Sequence, residues 1–577
     1  MRFPMYTVPS EVLLNMEEIR PHEDLKDAGA IAVFETSMGK AAFVSHQWVT
    51  KAHPDPELKQ LQVLQGALRH LLRGTGFVPL DPITEAIVPT AKSLSLREFQ
   101  SSPLFLWYDY FSCPQRREGS SLVDLEKAID SIPAYIAQCD FFFGLCPVID
   151  CPSEARVLTT KSWSERGWCR IERLLRELSD NDKWVLIKSN ASLELVGSAV
   201  GFLGGSAGEG QFSRAEDRAK LAPVLKRAVL RKLSLCLNAK DFAAYRRHLN
   251  MQAVHLRGLD IEVVPDLIPG FEGELGSRDI VSKFLYQNGF STVRDVDSAG
   301  WSPLHYAALS GSSELIEGLL RQRADPNRRT SKDQPQLGCP PWTSALDLAV
   351  FFRNDSARLL VAARARLEGG VQPAMSYAAM ADNASGVRLL CDAKGSPLAQ
   401  GILGVSVLET AAAYGAASAL EAIVQRAPEN ALDFSSALFS TMFTRGGTAE
   451  MVDRLLELRA DVNWQYKVSG RSLLGIVVTM KSLQHRFGRA TPLSTLFYNL
   501  PGMTPLMAAV LTAQYAGAAA LLAAGARLNL KNRRNRTAED FARGRSLPYF
   551  LIRGFQRDPS ECQGVFSREL AQTYVEV

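Results

Sequence analysis

A chain of 577 residues, 46% apolar and 22% charged, is too long for one hydrophobic core and reads as about three to five folded units with no case for extensive disorder. A net charge of +4 gives no reason to expect a nucleic-acid partner, and no window approaches the roughly 18 uninterrupted apolar residues of a membrane span. The nine cysteines are odd in number and scattered, which points to reduced thiols in a cytoplasmic or nuclear protein. The N-terminus carries Glu11, Glu17 and Glu18 and lacks the pattern of a secretory or transit leader.

Residues 1–39 read as an N-terminal extension. From 40 to 200, short apolar runs alternate with helical spacing. Ala41-Ala42-Phe43-Val44, Leu104-Phe105-Leu106-Trp107-Tyr108, Phe141-Phe142-Phe143-Gly144-Leu145 and Trp184-Val185-Leu186-Ile187 predict four strands. Between them, 56–72, 122–137 and the segment from Trp168 predict helices, an order expected of a parallel sheet covered on both faces. Residues 74–103 are Pro-punctuated and read as an insertion or loop with a short helix. The 201–210 stretch is Gly/Ser-rich and opens a helical linker segment to 290, from which no chemistry is read.

The rest is repetitive. Ser302-Pro303-Leu304-His305-Tyr306-Ala307-Ala308, then Gly311, Leu319-Leu320 and Ala324-Asp325-Pro326-Asn327, closely resembles one ankyrin repeat; Thr504-Pro505-Leu506-Met507-Ala508-Ala509 with Leu521-Leu522 and Gly525-Ala526 resembles another. Ser or Thr caps the first helix, Pro sits at N1 where no N–H is needed, and Ala lets paired helices approach. Weaker copies start near Ser344, Pro373, Ser406, Ser436 and Ser472, a mean spacing of about 34 residues against the family's period of about 33. The expectation is an all-α ankyrin solenoid over 297–545, with about six or seven repeats, a terminal half-repeat from Thr537 and a C-terminal tail, 546–577. Such stacks present a curved surface that binds other proteins. The basic run 531–536 falls where a repeat loop would lie and reads as solvated.

In the 40–200 region, Phe43-Val44-Ser45, Tyr108-Asp109 followed by Gly119, Leu125 with Ala128-Ile129 and Ser131, and Ser164-Glu165-Arg166-Gly167-Trp168-Cys169-Arg170-Ile171-Glu172 stand in the order of the Toll/interleukin receptor (TIR) family's elements. The last run is similar to the plant family's Ser-x-Trp-Cys-x-x-Glu, with two residues inserted before Trp168. The resemblance implies a flavodoxin-like α/β fold, self-association into a homo-oligomer or an effector role, and Glu172 as the residue that cleaves NAD+, here a substrate and not a cofactor. Breaking the nicotinamide–ribose bond builds an oxocarbenium-like centre that one preorganised carboxylate can stabilise. Ser45, Asp109, Arg116 and Trp168 are the accompanying pocket candidates. His46-Gln47-Trp48 replaces the family's Arg-Gly, and Cys113-Pro114-Gln115 is closer to the TIR-like fungal heterokaryon-incompatibility domains.

Each residue also has a plain structural reading. Glu172 also reads as a first-turn acid complementing the helix macrodipole behind a loop at 162–167. Trp168 and Cys169 read as core, Asp109 as a loop cap, and Arg116 and Arg117 as solvated. His46, His53 and five nearby cysteines show no CxxC or HxxxH spacing, so no metal is expected.

Overall fold

In the computed structural model, residues 1–575 are described apart from 89, 117–119, 182, 198–202, 204, 213, 265, 272–276, 335, 470–471 and 489. Gly119 and Arg117 therefore lie outside the described residues, as do residues 201, 202 and 204 of the Gly/Ser-rich stretch.

The four predicted strands form the middle of a seven-stranded mixed sheet. With β1 Tyr6–Pro9, β2 Ala32–Val33, β3 Lys40–Ser45, β4 Leu104–Tyr108, β5 Phe141–Leu145, β6 Trp184–Ser189 and β7 Ser192–Val196, the order is β7-β6-β5-β3-β4-β1-β2. β6, β5, β3 and β4 are parallel; β7, β1 and β2 pair antiparallel. The N-terminal extension thus supplies two edge strands, and a tight turn folds β7 back on β6. These additions escaped a reading based on long apolar runs because they are short or interrupted by polar residues such as Thr7 and Glu194.

Side chains alternate across the sheet. Ala42, Val44, Leu106 and Val185 pack under helix α1 (Lys59–Arg73). Phe43, Trp107, Phe142 and Leu186 pack under α2 (Ser120–Gln138) and α3 (Gly167–Glu177), with the Phe43 and Trp107 rings stacked at 4.2 Å. The long helix α4 (Ala215–Asn238) is not a tether. Leu221, Leu225, Val229 and Leu233, spaced by one helical turn, are all buried in this second face. Helix Phe242–Asn250 packs both on α4 and on the first helix of the following solenoid, and Ser277–Asn288 packs on the second. The linker is therefore divided between a cover for the sheet and a cap for the stack.

The solenoid begins with Pro303–Ser310 and Ser313–Arg321. First helices stack on first helices through Ala345–Phe351, Ala374–Met380, Val407–Tyr414, Phe434–Thr441, Pro505–Leu511 and Ala538–Ala542. Side-chain caps recur, as in the reciprocal Ser344–Asp347 and Ser406–Glu409 boxes. His305, fully buried, links Ser302 Oγ (2.8 Å) to the carbonyl of Thr343 in the next unit (3.2 Å).

The copy expected near Ser472 does not join the stack. Phe434–Thr441 packs directly on Pro505–Leu511, and Tyr466 N–H donates to Met503 O at 2.9 Å, closing the gap. Helices Leu473–Arg486 and Pro492–Asn499 form an inserted hairpin. The expected C-terminal tail is helical: Tyr549–Phe555 and Ser560–Val575 close the stack, and Arg568 returns to the α/β region to grip Asp150 (Nε–Oδ1 2.7 Å). Among the described residues, no helix is long and apolar enough to cross a membrane.

Candidate functional site at the carboxyl edge of the sheet

Numbered among themselves, the four parallel strands run 2-1-3-4, so the strand order reverses between β3 and β5. Helices leave opposite faces at such a point and open a crevice beyond the carboxyl ends of the strands. Ser45, the last residue of β3, lies there. So does Asp109, the residue after β4.

Glu172 reaches the same place from α3. Ser45 Oγ donates to Glu172 Oε2 at 2.6 Å, and Trp163 Nε1 donates to Ser45 Oγ at 3.2 Å. Asp109 accepts from Trp48 Nε1 (2.8 Å), from the Tyr110 N–H (2.6 Å) and from His46 Nε2 (2.8 Å). His46 in turn stacks on Tyr108 at 3.9 Å. Glu172 keeps intermediate exposure, and the Asp109 side chain is 37% exposed. The two carboxyls sit in a recess that water can reach, not in a sealed core.

Their environments push them apart. Burial, reinforced by the charge of Asp109, raises Glu172 to about 8 against the pull of the Ser45 hydrogen bond. Burial also works against ionisation of Asp109, but the charge and hydrogen bond of His46, with donors from Trp48 and Tyr110, outweigh it and hold the carboxyl low. At neutral pH one carboxyl is ionised and the other is a neutral acid. Such a split is a common arrangement where acid and base roles are divided.

The loop expected at 162–167 is largely helix, Thr160–Glu165, capped by Thr159 and followed after one residue by α3. Glu172 is consequently the sixth residue of α3. It lies beyond the first turn, where the dipole acts, so the macrodipole reading falls away. Trp168 does not wall the recess: its Nε1 donates to Asp217 Oδ2 at 3.0 Å, fastening α4 to α3. Arg116 has an exposed side chain, and its backbone N–H donates to Glu23 Oε1 at 2.9 Å. Of the residues named from the sequence, Ser45, Asp109 and Glu172 come together here; Trp163 was not among them, Trp48 was noted only as a departure from a motif, and His46 as that and as a rejected metal ligand. Polar side chains directly after β3 were the available signal. Cys169 is buried and its thiol is pushed up by burial and by Glu172, which leaves it no nucleophilic role. Among the described residues, no group of three or more His, Cys, Asp or Glu side chains is placed to hold a metal.

A second feature escaped the sequence reading altogether. Leu473, Ile476, Met480, Leu483 and Phe487, on the inserted hairpin, are 46–81% exposed. Their 3-4-3-4 spacing puts them on one helix face. The opposite face buries Gly475 and Val478, and Lys481 Nζ meets Glu85 of the α/β region at 2.6 Å. The sequence analysis placed only a weak repeat copy here, starting near Ser472.

Residues 299–331 match the family model of the ankyrin repeat. No curated protein matches the chain. Among solved structures, the chain is similar to the human ASB11 ankyrin repeat domain at 20% identity, covering 47% of this chain and 98% of that one with a TM-score of 0.31. The chain thus carries an ankyrin repeat beside a mixed-sheet region, and repeats of this kind bind other proteins.

Proposed function

We propose that the chain is an intracellular adaptor that recognises another protein through its ankyrin solenoid, with the inserted hairpin as the principal docking element. The observation that carries this reading is the stripe from Leu473 to Phe487. Folded chains seldom leave five large apolar side chains aligned in water, and an amphipathic helix of this spacing fits an apolar groove on a partner. Both stripe positions chosen for the test are well exposed, so replacing them with Glu leaves the fold intact. The double variant Met480→Glu/Phe487→Glu is expected to lose the protein that co-purifies with the full chain. Unchanged recovery from a folded variant refutes the reading, and a doubled solution mass that the variant abolishes assigns the stripe to a second copy instead.

A second reading is favoured by the Ser45–Glu172–Asp109 cluster: a TIR-like effector domain that cleaves NAD+. The 2-1-3-4 strand order is that of flavodoxin-like sheets, and the recess lies where such sheets bind ligands. Nicotinamide leaves as a neutral ring from a cationic one, so no general acid is required. An ionised Glu172 would hold the ribose hydroxyls and balance the developing oxocarbenium charge. Trp163 and Ser45 would orient its carboxyl. Since β1 and α4 complete this region, the assay uses the full chain, deliberately clustered, with NAD+ and Glu172→Gln as control. Nicotinamide release that the variant abolishes supports the reading; no release from a folded, clustered sample, or equal release from both, refutes it.

A further inference from the structure

A cavity of about 670 Å³ opens between the α/β region and the solenoid. Glu172, Ser45 and Asp109 do not line it; it is separate from the recess described above. Five arginines do: Arg170 and Arg173 from α3, Arg257 from the segment after α4, and Arg353 and Arg445 from turns of the solenoid, with the carboxylates of Glu165, Glu177, Glu209, Asp382 and Glu569 also in its walls.

Two of the five are held by neutral acceptors. Arg170 donates from Nε to Ser164 O (2.6 Å) and from Nη1 to Ser206 O (3.2 Å). Arg257 donates from Nη2 to Phe352 O (2.6 Å) and to Asn354 Oδ1 (3.2 Å). Carbonyl partners orient a guanidinium without cancelling its charge. Arg173 meets Glu177 at 3.0 Å and Arg353 meets Glu209 at 2.6 Å, and the charge of Glu209 also acts on Arg170 and Arg257. Burial, with the neighbouring Arg173, holds Arg170 down to about 10 against the opposing charges of Glu165 and Glu209. Guanidinium forks match phosphate oxygens. Met251, Val254, Phe352 and Met380 add an apolar wall, and the volume falls within the range of small-molecule sites, roughly 300–1,000 Å³.

We infer that this cavity binds a small organic phosphate of nucleotide size, its phosphates on the arginines and its ring on the apolar wall. The walls come from both regions of the chain, so the ligand bridges α3 to the solenoid and binds the docked arrangement more tightly than any separated one. Occupancy therefore strengthens the docking of the two regions. This holds whether or not Glu172 is catalytic.

Calorimetric titration of the full chain with ADP, inorganic pyrophosphate and adenosine, at matched ionic strength, tests the inference. ADP is expected to bind and adenosine to bind at least about tenfold more weakly. Pyrophosphate bound as tightly as ADP points to a phosphate or sugar-phosphate ligand, and ADP bound more tightly points to a nucleotide; both support the site. Arg170→Gln and Arg353→Gln, each checked for an unchanged melting profile without ligand, are expected to weaken ADP by about tenfold or more. Should one fail to fold, the other and the wild-type titration still decide. No binding of ADP or pyrophosphate at millimolar concentration, adenosine binding equal to ADP, or unchanged affinity in a folded variant overturns the inference.

Discussion

Glu172 in the α/β region and His305 in the solenoid are both titratable groups drawn out of water, and they are held in opposite ways. His305 has a partner on each ring nitrogen, Ser302 on one side and the Thr343 carbonyl on the other. Burial pushes it down to about 4, so it stays neutral and stitches one repeat to the next. Glu172 receives one hydrogen bond, from Ser45, and faces an ionised Asp109 across a recess open to solvent. A fully satisfied buried group is structural cement. One that is desolvated, half-satisfied and reachable is a group with unspent chemistry. Asp347 marks the boundary between the two cases: burial raises it to about 6, its Oδ2 is held by the capping box with Ser344 and by Arg329, and its Oδ1 is buried without a hydrogen-bond partner among the described residues.

The sharpest way to break the contrast is Glu172→Gln. If the half-satisfied carboxyl is catalytic, nicotinamide release by the clustered chain falls by at least about 100-fold. In the wild type, kcat/KM climbs with pH and levels off above about 8, because the ionised form is the one required. On the structural side, Leu346, fully buried between stacked units, is expected to cost about 2–5 kcal/mol as Leu346→Ala in denaturant unfolding, without altering NAD+ turnover.

The two groups also give opposite pH slopes. Glu172 is raised in the folded state, so the native form binds its proton more tightly and stability falls as pH rises from about 4.5 towards 8. Glu172→Gln should therefore melt higher than the wild type at pH 8 and lose that advantage near pH 4. His305 is depressed, so its contribution is complete above about 6.5 and is lost as pH falls through about 4. His305→Gln should flatten that acid limb. A variant whose melting temperature shifts by the same amount at every pH would show that titration is not involved. The smallest effect is local: Ser406→Ala removes one cap and costs about 1 kcal/mol, visible as faster amide exchange confined to that repeat.

Legibility in the sequence followed the range of the forces involved. The long central strands, the helices over them and the capped Pro-x repeats were readable because their signals are local and periodic. The edge strands β1, β2 and β7 were not, since each exists only through pairing with a distant segment. Ser45, Asp109 and Glu172 could be gathered because a parallel sheet must bring its strand ends together. Trp168 was misassigned because an indole beside a helix start says nothing about which neighbour takes its N–H, and the neighbour proved to be Asp217. The Leu473–Phe487 stripe was hidden by its own regularity, because apolar spacing records a face without saying whether anything covers it. The arginine cavity draws on residues from 146 to 569, and no local pattern announces it.

Recognition through the uncovered helix face is most directly tested by a photo-crosslinking residue at position 480 of the full chain, expressed in its own cells, with position 317 on an outer solenoid helix as control. A discrete protein adduct is expected from 480 and not from 317. No adduct from 480, or the same adducts from both positions, would contradict the docking role of the inserted hairpin.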